Sequence, residues 1–198
     1  MGRAFTESEK SRIREVVLER GRELFLRQGL AKTSIGEIAA AAGIGKGSFY
    51  TFFSGKEELY LVLLMEEERR RDRDLDAFLA GDLSRASFEA FMAKQFPADG
   101  ALSLLGQFFA RREWEAFYRK MGEERIRANV AADEQFAERL IAGLRERGVT
   151  PGLSAADILN AFYALFFTFM HHREVPAFSA RRHLDYLSRT LGEDLGLR

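Results

Sequence analysis

Apolar residues recur at helical spacing along most of the chain. The first such face ends near Gly29 and is made by Ile13, Val16, Val17, Leu24 and Phe25. Similar patterns predict further helices over residues 54–79, 84–96, 101–110, 112–147, 154–172 and 179–195. No stretch of useful length alternates apolar and polar residues with the period of two that is typical of strands. The sequence therefore predicts an all-α fold.

Two short helices are predicted within residues 34–53. Ser34 and Glu37 have the spacing of a capping box, in which the serine oxygen accepts a backbone N–H and the glutamate reaches back to the start of the helix. Gly43 ends this helix, since a left-handed backbone costs glycine little. After a tight turn, the second helix covers Gly45–Phe53.

A long helix is predicted next. It begins at a second capping-box pattern, Ser54 with Glu57, and runs to about Leu79. Within it the charged run places Glu66 and Arg70 four residues apart, where they can pair along one side of the helix. Such a run is typical of a solvated helix face, and its charges indicate no further role.

The two short helices can bury one face and leave the other outside. The inner face is expected to pack on Leu24 and Phe25 of the first helix and consists of Ile35, Ile38, Ala39, Ile44, Phe49 and Phe53. The outer face consists of Lys46, Gly47, Ser48, Tyr50, Thr51 and Phe52. This outer set has too few large apolar residues for burial, which disfavours a plain helical hairpin inside a core. A helix that enters a DNA major groove needs such a surface, with donors for phosphates and base edges.

Composition narrows the classes of protein that remain. The chain has 198 residues, 46% of them apolar, enough for one medium domain or a small one joined to a larger one. It has no cysteine, which excludes disulfides, thiolate metal sites and cysteine nucleophiles. Basic and acidic residues balance at 30 each, but residues 1–56 carry a net charge of +4 and residues 57–198 one of −4. A basic N-terminal piece on an acidic body suggests a head that binds a polyanion.

Neither a signal peptide nor a membrane helix is predicted. The N-terminus, Met1–Lys10, is polar and charged and shows no cleavage pattern. The longest nearly apolar stretch, Ile158–Met170, is much shorter than the roughly 20 residues of a spanning helix. We therefore expect a soluble, cytoplasmic protein without a membrane partner.

A motif in the N-terminal third carries a family resemblance. It covers about residues 13–60 and consists of Leu24-Phe25, Gly29, Thr33-Ser34-Ile35, Glu37-Ile38-Ala39, Ala42-Gly43-Ile44, Lys46-Gly47-Ser48-Phe49-Tyr50, Phe53 and Lys56-Glu57-Glu58-Leu59. In order, spacing and residue type this run resembles the tetracycline repressor (TetR) family. Arg20 and Gly21 depart from it, because they stand where the family usually has small apolar residues, and Gly55 replaces a common polar cap.

The resemblance implies a homodimeric transcriptional regulator, usually a repressor, and not an enzyme. A three-helix helix-turn-helix DNA-binding head (1–56) would join a larger helical ligand-binding and dimerisation domain (57–198). The operator would be double-stranded DNA, and no cofactor is implied. Carried over to this chain, the recognition-helix contacts are Lys46, Gly47, Ser48, Tyr50 and Thr51. Thr33 or Ser34, together with Lys56, would contact phosphates at helix starts.

The body of the chain is rich in aromatic residues. Thirteen of the 18 phenylalanines lie beyond residue 57, which favours an apolar or aromatic ligand, although ordinary core packing explains any single one of them. The candidate ligand contacts are Phe109, Trp114, Tyr118, Phe166 and Met170. The candidate polar contacts are Gln107, Asn129 and His171.

The last two predicted helices have the pattern of a dimer interface. The helix over 154–172 is apolar nearly all round, so it must be covered on every side. The helix over 179–195 carries leucines at near-heptad spacing. We expect the two helices to form a four-helix contact with their symmetry mates through Phe162, Phe169, Leu184, Leu187 and Leu191.

Two other functions remain as alternatives. A helical-bundle enzyme would need a convergent acid–base, nucleophilic or metal set, and the sequence indicates none. His171 and His172 are neighbours that point about 100° apart in a helix, so they do not form a metal pair. A constitutive or architectural DNA-binding protein would keep the head without a ligand, and a fully packed body would favour it.

Overall fold

The computed structural model describes residues 6–96, 103–113, 116–117, 119, 123–171 and 179–198. In that part of the chain the helices are α1 (Glu7–Lys32), α2 (Ile35–Ala41), α3 (Lys46–Phe49), α4 (Lys56–Ala80), α5 (Arg85–Gln95), α6 (Leu104–Ala110), α7 (Glu123–Glu146), α8 (Ala155–His171) and α9 (Ala180–Asp194). These described residues contain no strand, and the all-α prediction is confirmed. None of the described helices combines the length and apolarity needed to cross a membrane.

Two local predictions differ in detail from the structure. The α3 helix ends at Phe49 rather than Phe53, and a hydrogen-bonded turn continues it, with the Phe53 amide bonded to the Phe49 carbonyl at 3.1 Å. At the start of α4, the Ser54 amide and hydroxyl both donate to Glu58, at 2.6 and 2.7 Å, where the sequence predicts Glu57 as the reciprocal partner. Glu58, four residues after Ser54, therefore accepts the hydrogen bond from the serine amide.

The chain divides into two compact units. The N-terminal unit comprises Met1–Glu67 and Ser103–Phe117, and the C-terminal unit comprises Glu68–Leu102 and Tyr118–Arg198. The N-terminal unit therefore takes in α1–α3, the first half of α4 and α6. The division into domains 1–56 and 57–198 remains a prediction.

The core of the N-terminal unit forms where α1 and α4 meet. Phe25 and Tyr60 pack edge to face with ring centroids 5.0 Å apart, and the Tyr60 hydroxyl donates to the Leu104 carbonyl at 2.7 Å. Burial raises the pKa of Tyr60, with Glu113 and Glu67 adding to the effect, so this phenol stays protonated. A Cβ on Gly21 would lie 2.7 Å from a Leu59 methyl carbon, which explains a glycine at a position where the family resemblance leads one to expect another residue.

The core of the C-terminal unit is largely aromatic. Phe78 and Phe91 stack at 5.4 Å, and Phe91 stacks in turn on Phe136 at 6.4 Å. The α9 helix packs on α5, and α8 packs on α7. Among the buried residues of this unit are also Phe88, Met92, Leu140, Leu144, Ile158, Leu165, Leu184, Leu191 and Leu195. Much of the phenylalanine excess in the sequence is therefore core packing.

Candidate nucleic-acid interface

The α2 helix begins and ends as its sequence predicts. The Ser34 hydroxyl accepts from the Glu37 amide at 3.2 Å, and the Ser34 amide donates to Glu37 at 2.8 Å. The hydrogen bonds from the Ser34 amide and side chain hold the pKa of Glu37 below its usual value. At the other end Gly43 has φ of 70°, and the Ile44 amide returns to the Ala39 carbonyl at 2.9 Å. This closure turns the chain sharply into α3.

The inner face of the helix-turn-helix is sealed. Ile38, Ala39, Phe49 and Phe53 are buried, while Ile35 and Ile44 are half-buried. Four predicted positions are therefore core, and two lie at its rim. Because that face is packed, the opposite face of α3 has a fixed direction toward solvent.

The outer face is open to solvent. Lys46, Gly47, Tyr50 and Thr51 are exposed, and Tyr50 keeps 52% of its surface. Ser48 is half-buried, as is Phe52. Residues 46–53 contain one cation and no acid, so the face carries no charge that would repel a phosphate.

Gly47 has no packing role inside the chain. A Cβ built on it would have nothing within 4 Å, and its φ is not in the left-handed range. Glycine inside a helix also weakens it relative to alanine, by about 1 kcal/mol. A partner backbone that approaches this point closely would account for the glycine.

Two predicted phosphate contacts are occupied within the chain instead. The Thr33 side chain is 1% exposed, and its hydroxyl donates to the Gly29 carbonyl at 2.6 Å. The Lys56 ammonium donates to the carbonyls of Leu30 and Thr33, both at 2.7 Å, and to that of Ala31 at 3.2 Å. Of the three candidates, Ser34 is the one with an exposed residue surface.

Glu113 is a residue of this region that sequence reasoning missed. Its carboxylate accepts the amides of Leu30 and Ala31, each at 2.9 Å. It lies 83 residues from Leu30, so no local spacing pattern signals the contact. Only its position just beyond a short apolar helix, with charged neighbours Arg111 and Arg112, marks this stretch in the sequence.

The predicted ligand contacts are mostly beyond what the structure describes. Trp114 and Tyr118 lie outside the described residues, and the side chains of Phe109 and Met170 do so as well. Phe166 is half-buried and meets Phe167 edge to face at 5.7 Å. Of the polar candidates, Gln107 is half-buried and accepts from Arg111 at 3.2 Å, and the side chains of Asn129 and His171 lie outside the described residues.

The C-terminal unit contains a charged cluster that the sequence did not indicate. Arg71 donates to Asp133 at 2.6 Å and lies 4.6 Å from the centre of the Phe136 ring. The Tyr163 hydroxyl donates to the other Asp133 oxygen at 3.1 Å, and burial raises the pKa of Tyr163 to about 12. Burial also raises the pKa of Glu68, with Arg71 opposing the shift. Charged groups are thus held in a partly dry environment.

The predicted dimer contacts fall into two groups. Leu184 and Leu191 are buried in the core of a single chain, in which α9 packs on α5. Phe162 and Leu187 are half-buried, and the side chain of Phe169 lies outside the described residues. The large apolar side chains left exposed near them are Phe167 on α8, at 52%, and Tyr186 on α9, at 67%.

The described residues contain no group of three or more histidine, aspartate or glutamate side chains arranged to hold a metal ion. His183 is half-buried, and His172 lies outside the described part of the chain.

Comparison with known proteins agrees with this geometry. Residues 17–63 match the model of the family described as bacterial regulatory proteins, tetR family. The chain is 40% identical over 55 residues to the HTH-type transcriptional regulator AcrR of Shigella flexneri, which is 28% of this chain and 26% of that protein. The matched segment thus spans about a quarter of this relative's length.

Solved structures extend the likeness to the whole fold. SmeT, the repressor of the Stenotrophomonas maltophilia multidrug efflux pump SmeDEF, has a TM-score of 0.64 at 18% identity, covering 90% of this chain and 87% of SmeT. A complex of SmeT with triclosan has a TM-score of 0.61 at 17% identity, covering 94% of this chain and 92% of the SmeT chain. The N-terminal segment therefore resembles the DNA-binding segment of tetR-family bacterial regulators, and the chain as a whole shares the fold of SmeT.

Proposed function

We propose that the chain is a dimeric, ligand-responsive transcriptional regulator, a repressor that a small apolar or aromatic ligand releases from its DNA operator. The observation that carries the proposal is the outer face of α3. Lys46, Gly47, Tyr50 and Thr51 are exposed there, directly above the buried Phe49. A rigid inner face with a small, polar and aromatic outer face suits insertion into a major groove.

Five of the six outer-face residues have a role in DNA binding. Lys46 contacts a phosphate, and Gly47 lets the DNA backbone approach. Tyr50 and Thr51 offer hydroxyls to phosphates or base edges, and Ser48 does so from the rim. Ser34 contacts a phosphate at the start of α2. We assign no phosphate contact to Thr33 or Lys56, because their polar groups are bonded to carbonyls of the chain.

Two copies are required to read two half-sites. The exposed rings of Phe167 and Tyr186 are large apolar surface on α8 and α9 that a second copy would cover. Phe162 and Leu187, both half-buried, would join them at the edge of the contact, together with Phe169. A twofold pair presents its recognition helices to successive major grooves, about 34–36 Å apart or a multiple of that distance.

The ligand acts through linkage between two states of the dimer. DNA favours one spacing of the recognition helices, and the ligand favours another, so each weakens the binding of the other. The aromatic body, with Phe166 and the predicted contacts Phe109, Trp114, Tyr118 and Met170, suits an apolar or aromatic ligand. The complex of SmeT with triclosan supports this ligand class and supplies a first probe.

Selection from random duplex DNA tests the DNA-binding proposal. The full chain should enrich a sequence with two inverted half-sites, and its affinity for that sequence should fall steeply as salt rises. Enrichment of no sequence, or of a single half-site bound by a monomer, would overturn the proposal.

Addition of hydrophobic compounds, triclosan among them, to the selected complex tests the ligand. At least one compound should both raise the melting temperature of the free protein and release the DNA. If no compound does both, the protein binds DNA constitutively.

A further inference from the structure

The junction between α1 and α2 is an unusual piece of backbone. Gly29 has φ of 84° and ψ of 168°, so α1 is kinked there, and the first amides after the kink lack the carbonyl partners that an unbroken helix would give them. The next helix begins only at Ile35, with Ser34 as its N-cap. The segment Leu30–Thr33 therefore needs partners for its backbone polar groups from elsewhere in the chain.

Two side chains of opposite charge supply most of those partners, and Gln28 donates to the Lys32 carbonyl at 3.3 Å. The Glu113 carboxylate accepts the amides of Leu30 and Ala31, each at 2.9 Å. The Lys56 ammonium donates to the carbonyls of Leu30, Ala31 and Thr33. The carboxylate accepts from the amides and the ammonium donates to the carbonyls, and such charge-assisted hydrogen bonds are roughly twice as strong as neutral ones.

The backbone before Glu113 is shaped to deliver this carboxylate. Arg112 has φ of 57°, a left-handed conformation that is uncommon outside glycine, and the Glu113 amide turns back to the Phe108 carbonyl at 3.1 Å. On the receiving side, a Cβ on Gly29 would lie 2.6 Å from the Glu113 carboxylate. The left-handed backbone at Arg112 and the absence of a side chain at Gly29 thus both allow the Glu113 carboxylate to reach the amides of Leu30 and Ala31.

The segment that carries Glu113 is also tied to α4. The Tyr60 hydroxyl donates to the Leu104 carbonyl at 2.7 Å, and Glu67 accepts the Leu104 amide at 3.2 Å. Leu104–Glu113 is thus hydrogen-bonded to α4 at its start and to the α1–α2 junction at its end.

We infer that Glu113 is a positioning residue for DNA binding. Through the amides of Leu30 and Ala31 it fixes the junction from which α2 starts, and with it the outer face of α3. Lys56 is its counterpart on the carbonyls of the same segment. This inference rests on the proposed DNA-binding function and adds to it a residue that is not itself part of the outer face of α3.

Specific and non-specific DNA affinities respond differently to the loss of a positioning contact and to the loss of a negative charge. Removing a negative charge near a DNA-binding surface raises the electrostatic, sequence-independent affinity. Loss of a positioning contact lowers specific affinity and leaves non-specific affinity intact. The ratio of the two affinities therefore separates the two effects.

Amide hydrogen exchange on the free full-length protein tests the contact itself. In the variant Glu113→Gln the amides of Leu30 and Ala31 should exchange about tenfold faster, since a neutral amide oxygen replaces two carboxylate oxygens. Glu23→Gln is the matched control, because Glu23 pairs only with Arg20 on the surface of α1 in the described contacts. This measurement needs no DNA, so its outcome is independent of the proposed function.

The ratio of affinities for the selected duplex and for random DNA tests the role. Glu113→Gln should lower that ratio about tenfold, and Glu23→Gln should leave it unchanged. Glu113→Asp, which keeps the charge but shortens the reach, should behave like Glu113→Gln and replaces it if that variant does not fold. Unchanged exchange at both amides, or an unchanged ratio with faster exchange, would overturn the inference.

Discussion

The rings of Phe49 and Tyr50 meet edge to face, with centroids 5.8 Å apart and planes at 89°, although the first ring is buried and the second is half exposed. The step from the last residue of α3 to its C-cap thus takes the chain from the core to the proposed DNA surface. The two positions form a natural pair for separating folding from binding.

Tyr50→Ala should weaken binding to the selected duplex about tenfold with little change in melting temperature, because an exposed contact is removed. Phe49→Ala should instead lower the free energy of unfolding by about 3–5 kcal/mol, as a buried ring leaves a cavity. Thermal melts and fluorescence anisotropy with labelled DNA measure the two effects. Full DNA affinity in Tyr50→Ala would show that the docking face is elsewhere.

Lys46→Ala should weaken DNA binding and lower the slope of log affinity against log salt by about one, because one phosphate contact is lost. Lys94→Ala removes a similarly exposed lysine from the C-terminal unit and should leave that slope unchanged. Salt titrations of both variants give the comparison. Equal slopes in the two variants would remove Lys46 from the interface.

Replacing each of two glycines of positive φ by alanine should lower the free energy of unfolding by different amounts. Gly43 has open space around a built Cβ, so Gly43→Ala should cost only the backbone strain, about 1 kcal/mol. Gly29→Ala should cost more, because its φ and ψ lie in a region nearly exclusive to glycine and its Cβ meets Glu113. Chemical denaturation of the two variants measures both values, and equal costs would contradict the crowding at Gly29.

Two glutamates should shift stability in opposite directions with pH. Glu37 has a lowered pKa, so its contribution is present above its ordinary value of 4.5 and is lost as pH falls through the folded value. Glu68 has a pKa raised by burial, so its favourable contribution exists at acid pH and is lost as pH rises through the folded value. At pH 7, Glu37→Gln should lower the melting temperature and Glu68→Gln should raise it.

Each difference from the parent should shrink as the pH falls through that glutamate's folded pKa, because the protonated carboxyl is then neutral like the glutamine that replaces it. Melting curves of the parent and the two variants over pH 3–8 provide the measurement. Changes in melting temperature of the same sign for both variants at pH 7 would show that burial does not determine the pKa of Glu68.

Substitutions at Phe167, which is exposed on α8, and at Leu184, which is buried on α9, should distinguish loss of the dimer from loss of the fold. Phe167→Asp should give a folded monomer, since the ring is 52% exposed in the single chain and would be covered by the second copy. Leu184→Asp should unfold the chain, because it places an unpaired charge at a position that is 2% exposed. Light scattering and circular dichroism distinguish the outcomes, and a Phe167→Asp variant that stays dimeric would move the interface off this face.

The sequence by itself determined the local features of the head. The capping of α2 by Ser34 and Glu37, its closure at Gly43, the burial of Ile38 and the exposure of Tyr50 could all be predicted. Each depends on groups within a few residues of one another, where helical geometry fixes which side chains meet.

Tertiary structure alone decided what each apolar or charged face meets. Periodicity shows that Leu184 and Leu191 must be buried, but not that the core of their own chain, in which α9 packs on α5, buries them. From its place at a helix start, Lys56 is predicted to contact a phosphate, yet in the fold its ammonium donates to carbonyls more than twenty residues away. The fold also brings Glu113 to the same segment. Such contacts depend on where distant parts of the backbone cross, which no spacing along the chain encodes.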